Sequence, residues 1–102
     1  MAKLYVIYGQ PTDPAAFDAH YRQVHAPLAR QVPGMRHFEV TRGPIMGLGG
    51  QHASYMIATL EFDSLAAISA ALASPQGQAT AADLANFASG GVDLMMAETE
   101  TL

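Results

Sequence analysis

The segment KLYVIYG, residues 3–9, is apolar at almost every position and rich in β-branched and aromatic side chains, the pattern of a strand covered on both faces. Polar residues then interrupt it, and Asp13 before Pro14 reads as an N-cap followed by proline at the first helical position, where its missing N–H costs nothing. Phe17, Tyr21, Val24 and Leu28 recur at helical spacing as one apolar stripe, which predicts a helix over residues 14–31. Pro27 lies inside that helix. Its ring disfavours helical geometry at Ala26 and removes one ladder bond, so a kink or local break is expected there.

After Val32, Pro33 and Gly34 the period changes to two. Residues 35–43 form a second strand, with Arg36, Phe38, Val40 and Arg42 on one face and Met35, His37, Glu39 and Thr41 on the other. A third strand over residues 53–62 sets Ser54, Met56, Ala58, Leu60 and Phe62 against Tyr55, Ile57, Thr59 and Glu61. The two strands read as an antiparallel hairpin. The glycine-rich stretch between them, residues 43–52, lacks the Lys-Ser/Thr of a phosphate loop and leads into a strand, so it reads as a hairpin loop over a pocket mouth. An Asp63/Ser64 cap starts a second helix to about residue 74, carrying Leu65, Ile68 and Leu72 on one face. Pro75 and Gly77 precede another short helical pattern through Leu84 and Phe87, and residues from Val92 to the end form a fourth strand.

The order β-α-β-β-α-β predicts an α+β, ferredoxin-like protomer: a four-stranded antiparallel sheet with both helices on one face. The helix-bearing face is the wholly apolar one, Met56, Ala58, Leu60 and Phe62 beside Phe38 and Val40. The opposite face, Tyr5, Ile7, His37, Glu39, Tyr55, Ile57 and Thr59, is too apolar to face water, which predicts a homodimer paired through the sheet faces.

Length and charge narrow the function. One compact domain over residues 1–102 accounts for the 102 residues, and a domain of that size gains burial by pairing. The net charge of −4, with Lys3 and four arginines, lacks the basic footprint that nucleic acid needs. No cysteine is present, so thiolate metal sites and a cysteine nucleophile are excluded. No run is apolar and long enough for a secretory leader or a membrane span, and the expected location is the cytoplasm. Histidine spacing gives no metal motif: His20 and His25 stand five apart, a poor pair on an α-helix.

The stretch FDAHYRQVHAPLA followed by VPGMR resembles the EthD family of small dimeric α+β barrel proteins, which carry a Tyr, three residues, His, one residue and Pro-Leu, then Pro-Gly before the second strand. Those positions are Tyr21, His25, Pro27, Leu28, Pro33 and Gly34 here, and the Phe-Asp-Ser at residues 62–64, the Ser-Pro turn and the Asp83-Leu84 pair extend the likeness over almost the whole chain. The resemblance implies a barrel formed by two protomers and a place near ether or aromatic catabolism; the family takes its name from ethyl tert-butyl ether degradation, in which the monooxygenase is a separate protein. It also implies kinship with muconolactone isomerases, methylmuconolactone isomerases, polyketide cyclases, quinone-forming monooxygenases and haem-binding enzymes. Fold alone does not choose among these.

His25, at the border of the apolar stripe, is the candidate catalytic acid or base, since its near-neutral pKa suits proton transfer. The plainer alternative is a helix-end histidine bonded to a backbone carbonyl freed by Pro27. Tyr5, Ile7, Tyr21, His37, Glu39 and Tyr55 form the expected substrate-binding set, His37 and Glu39 being equally readable as an interface network and His20 as solvent-facing. Arg36 and Arg42 read either as a carboxylate grip or as surface ion-pair partners. Met46, Met56, Met95 and Met96 read as core filler rather than cofactor contacts. No cofactor is expected, although a lone His25 is the kind of residue that ligates haem in some barrel relatives. Two functions follow: a cofactor-free enzyme performing isomerisation, cyclisation or decarboxylation on a hydrophobic cyclic or aromatic compound, or a non-catalytic accessory or carrier supporting a degradative oxygenase. Direct oxygen chemistry on an activated phenol is a variant of the first.

Overall fold

The computed structural model describes residues 1–50 and 52–102; of the predicted 43–52 loop, Gln51 lies outside the described residues. Four antiparallel strands, β1 (Ala2–Gly9), β2 (His37–Val40), β3 (Ser54–Phe62) and β4 (Val92–Glu98), form one sheet in the order β2-β3-β1-β4. This is the ferredoxin-like arrangement expected. Helices α1 (Pro14–His20) and α2 (Ala26–Ala29) join β1 to β2, while α3 (Leu65–Ala73) and α4 (Pro75–Asp83) join β3 to β4. The second crossover is therefore a pair of helices, split where Ser74 adopts an extended backbone and Pro75 begins α4.

The caps follow the sequence. Asp13 accepts from the Ala16 N–H at 3.2 Å, and Ser64 accepts from the Ala67 N–H at 3.0 Å. Ser64 alone caps α3; Asp63 instead receives a two-point contact from Arg36 at 2.9–3.0 Å, the exposed ion pair anticipated as one reading of that arginine.

The first helix departs from the expected kink. Ala26 keeps helical geometry, with φ −61° and ψ −42°, and residues Tyr21–His25 form a π turn in which the Ala26 N–H bonds the Tyr21 carbonyl five residues back. The widened turn absorbs the missing N–H and the ring of Pro27 one turn early. It also inserts one residue into the apolar phase. The stripe continues from Phe17 and Tyr21 to His25 and Ala29, all buried, while Val24 turns out to 41% exposure. Likewise Ala71 takes the buried position expected of Leu72, which is 38% exposed.

Strand β2 is shorter than the expected 35–43, with single backbone bonds just beyond each end: the Arg36 N–H donates to the Glu61 carbonyl at 2.7 Å and the Thr41 N–H to the Ile57 carbonyl at 3.0 Å, while the Ile57 N–H turns to the Thr41 hydroxyl at 3.0 Å instead of completing the pair. The core is Leu4, Val6 and Tyr8 of β1 with Ala58, Leu60 and Phe62 of β3, covered by Phe17, Tyr21 and Ile68. Between Tyr8 and Gly9 the β1–β3 register shifts, Tyr8 facing Met56 and Gly9 facing Ser54. Tyr55 is the extra residue, and the bulge re-aims it from the outer face towards α1, where its ring lies 5.0 Å from Phe17.

Gly77 marks a close helix crossing, since a Cβ there would overlap the Ala71 carbonyl and the Leu72 backbone. Gly77→Ala is expected to lower stability by about 1–3 kcal/mol through overpacking. A thermal melt then falls by roughly 4–8 °C per kcal/mol; a melt unchanged from wild type would contradict this crossing.

Candidate functional site

The π turn brings Tyr21 and His25 against the sheet, and the end of α4 brings Asp83 to meet them. Asp83 is 6% exposed and His25 4%. The His25 Nδ1 lies 2.9 Å from Asp83 Oδ2, and the His20 Nε2 lies 2.9 and 3.0 Å from the two carboxylate oxygens. The Asn86 amide, in the 3₁₀ turn Leu84–Asn86, donates to Oδ1 at 2.9 Å. Residues five apart align on a π turn, so the His20 and His25 spacing that suits an α-helix poorly serves one shared carboxylate here.

Electrostatics fix the protonation pattern. Burial pushes the Asp83 pKa up, but the hydrogen bonds from Asn86, His20 and His25 outweigh it and hold the carboxyl below its ordinary value. An ionised Asp83 accepts from both histidines, which assigns the His25 proton to Nδ1 and leaves the Nε2 lone pair free. Burial lowers the His25 pKa, opposed by the hydrogen bond and charge of Asp83, so the ring is neutral near pH 7. No protein group bonds Nε2, yet no buried polar side-chain atom among the described residues lacks a partner, so this nitrogen is not sealed from solvent. The Tyr21 ring lies 5.3 Å from the His25 ring and 5.8 Å from that of Tyr8; both phenol pKa values are raised chiefly by burial, and both remain protonated donors.

Tyr8, Tyr21 and His25 line a narrow apolar cavity of about 60 Å³ between the sheet and the helices, walled by Leu60, Phe62 and Phe38 and opening past Leu72 and Leu94. Among the described residues no group of three or more His, Asp or Glu is arranged to hold a metal ion.

The expected site residues divide. His25 and Tyr21 share the cavity. Tyr5 and Ile7 alternate with the buried Leu4, Val6 and Tyr8 and lie on the opposite face of the sheet. His37 and Glu39 share that outer face, bonded to each other at 2.8 Å and mostly exposed. Period two separates the faces, and none of Tyr5, Ile7, His37 and Glu39 lines the His25 cavity. Tyr55 joins neither group; its hydroxyl donates to Asp18 at 2.8 Å beside α1. His20 is a correction in the other direction, partly buried on Asp83 rather than solvent-facing, and it stacks 5.1 Å from Phe87. Asp83, Asn86 and Tyr8 are the members that sequence reading missed. The signal available was an acid within the apolar pattern of the last helical stretch, AADLANF.

The model of the EthD domain matches residues 9–91. This chain belongs to the EthD family. It is 42% identical, over all of its own length and 98% of the other, to an uncharacterised 11.0 kDa protein of the thcB-thcC intergenic region of Rhodococcus erythropolis. An EthD family protein of Bacillus halodurans has a crystal structure of the same fold, 35% identical, with 98% of this chain and 99% of that one covered and a TM-score of 0.88. More distantly, SnoaB of Streptomyces nogalater, a cofactor-independent oxygenase, shares the fold at 16% identity and a TM-score of 0.64, covering 99% and 93% of the two chains. In this EthD protein the family's Tyr-x₃-His element is the π turn itself, and its Asp-Leu element supplies the carboxylate that the turn's histidine contacts. No helix among the described residues is long and apolar enough to cross a membrane.

Asp83→Asn tests the network. Hydrogen bonds to a buried charge contribute roughly 1.5–3 kcal/mol each, so a loss of about 2–4 kcal/mol is expected in urea unfolding at pH 7. Both depressed groups make wild-type stability fall with acid. His25 resists protonation in the folded state and costs stability below its unfolded value of 6.5, and the Asp83 contribution is lost as pH falls below 3.8 through its folded value. The variant lacks the second limb. An identical stability profile from pH 7 to pH 3 in both proteins would contradict the network.

Proposed function

We propose that this EthD protein binds a small hydrophobic cyclic or aromatic compound and moves a proton on it without a cofactor, with His25 as the base. The observation that carries the reading is the Asp83–His25 contact of 2.9 Å, with Nε2 free at the wall of an apolar cavity. In such a pair the carboxylate sets the tautomer and stabilises the imidazolium that forms. His25 Nε2 takes a proton from a carbon acid, and the same imidazolium returns it at a second position; the step is an isomerisation and consumes no oxidant. Tyr8 and Tyr21, protonated and close by, are the donors available to a developing enolate oxygen.

The protein works as a homodimer in this proposal. Tyr5, Ile7 and Ile57 with the half-exposed Met95 give the outer sheet face an apolar centre, and His37 with Glu39 fits its rim. Pairing through this face leaves the helix-side cavity untouched. A role near ether or aromatic catabolism is consistent with the family and with a hydrophobic ligand.

A non-catalytic carrier or accessory is the second reading. It is favoured by one observation: every buried polar side-chain atom among the described residues is satisfied, as a purely structural network also requires.

Enolisable cyclic ketones and unsaturated lactones, followed by proton NMR in D₂O, separate the two. Proton transfer predicts accelerated exchange or isomerisation for at least one compound, cut by roughly 10²–10⁴ in His25→Gln. Bound compounds with no acceleration over buffer would leave the carrier. In light scattering the wild type is expected at twice the protomer mass and Ile57→Asp at the protomer mass, because a carboxylate at the centre of an apolar interface is unpaired there; a monomeric wild type refutes the dimer.

A further inference from the structure

Of the four arginines, Arg36 alone has an ionic partner among the described residues, the exposed Asp63. Among the described residues Arg22, Arg30 and Arg42 make no salt bridge and no side-chain hydrogen bond. All three line one cleft. It runs between the helical segment from α1 to α2 and strand β2 with the loop that follows, as two adjoining hollows of about 230 and 470 Å³ that share Asp18, Arg22 and Met56. Arg30 lines the smaller hollow, Arg42 the larger, and Arg22 stands at their junction. Two carboxylates also line the cleft, Asp18, which accepts from the Tyr55 hydroxyl, and Glu39, which contacts His37, each at 2.8 Å, so three guanidinium groups stand against two carboxylates. A chain of net charge −4 thus collects its three unpaired guanidinium groups around a single hollow.

One side of the smaller hollow is apolar, formed by Phe38, Val40 and Met56, and Tyr21 and Phe38 line both this hollow and the His25 cavity. These two side chains are the wall between the two spaces. The cavity by itself, at about 60 Å³, is smaller than the roughly 150 Å³ apolar cavity that holds benzene, so a ring needs the cleft.

We infer that the cleft binds an aryl or alicyclic carboxylate, its ring against Phe38, Val40 and Met56 and its carboxylate on the Arg22 guanidinium. With Arg30 and Arg42 at the two ends, the three guanidinium groups outnumber Asp18 and Glu39 and leave the cleft net positive towards an anion. A planar guanidinium with five donors matches a carboxylate at two points, which an alcohol cannot reproduce. The inference narrows the substrate class proposed above and rests on that reading only for the end of the ligand that meets His25. Because Phe38, Val40 and Met56 face the helices, pairing through the outer sheet face leaves this cleft open.

Phenylacetate and the neutral phenethyl alcohol, titrated into the nitrogen-15-labelled full chain and followed by NMR, provide the test. The acid is expected to bind roughly tenfold or more tightly than the alcohol and to shift the Arg22 side-chain and Met56 signals. That preference disappears in Arg22→Gln and survives in Arg36→Gln, whose charge lies outside the cleft. Equal binding of acid and alcohol, no binding of either, or an equal loss in Arg36→Gln would overturn the inference. His25→Gln keeps the preference for the acid. A failure of proton transfer therefore leaves the cleft standing, and loss of the preference with proton transfer intact overturns the cleft alone.

Discussion

A carboxylate removed from water has to be paired, and Asp83 imposes that constraint on the rest of this protein. Its two oxygens receive His20, His25 and Asn86, which come from the end of α1, the π turn and the 3₁₀ turn after α4. These segments belong to the two separate crossovers of the sheet. The charge thus clamps one crossover onto the other across a separation of about sixty residues, and it does so with directional contacts that apolar packing lacks. Around it, Tyr8 and Phe87 each meet Phe17 and Tyr21, the Tyr8 and Phe87 contacts with both rings being edge to face while Phe17 and Tyr21 stack on each other.

The π turn is the backbone's answer to that constraint. An unbroken α-helix would carry Val24 inward and leave His25 at the edge of the stripe. One extra residue in the turn reverses their places, so a titratable ring occupies a position that the regular period reserves for an aliphatic one. Pro27 makes the wider turn inexpensive, because the ladder already lacks a donor there. The same substitution of ring for aliphatic group gives the cavity its only histidine, with the nitrogen that does not meet Asp83 unbonded. Fold and chemistry are coupled here through a single inserted residue.

The two faces of the sheet carry different work. The helix side holds the cavity and the arginine-lined cleft, and the outer side holds Tyr5, Ile7, Ile57 and the His37–Glu39 pair. The outer residues Tyr5, Ile7 and Ile57 are thereby separate from the residues that line the cavity. A change in cavity lining leaves the outer face as it was.

The sequence alone determined the strands, their alternation, the helix starts and the antiparallel order, because each rests on local physics: a period of two, a cap at Asp13 or Ser64, a proline where no N–H is needed. It also carried the family, through the spacing of Tyr21, His25, Pro27 and the Pro-Gly turn. Tertiary structure decided which face each candidate shares. Tyr5, Ile7, His37 and Glu39 parted from His25 because the sheet lies between them, and Tyr55 left its predicted face because a bulge, invisible in the alternation, shifts the register by one. Asp83 was legible only as an acid in a helical stretch; its partners lie 58 and 63 residues away in the chain, and no local period encodes a contact of that range.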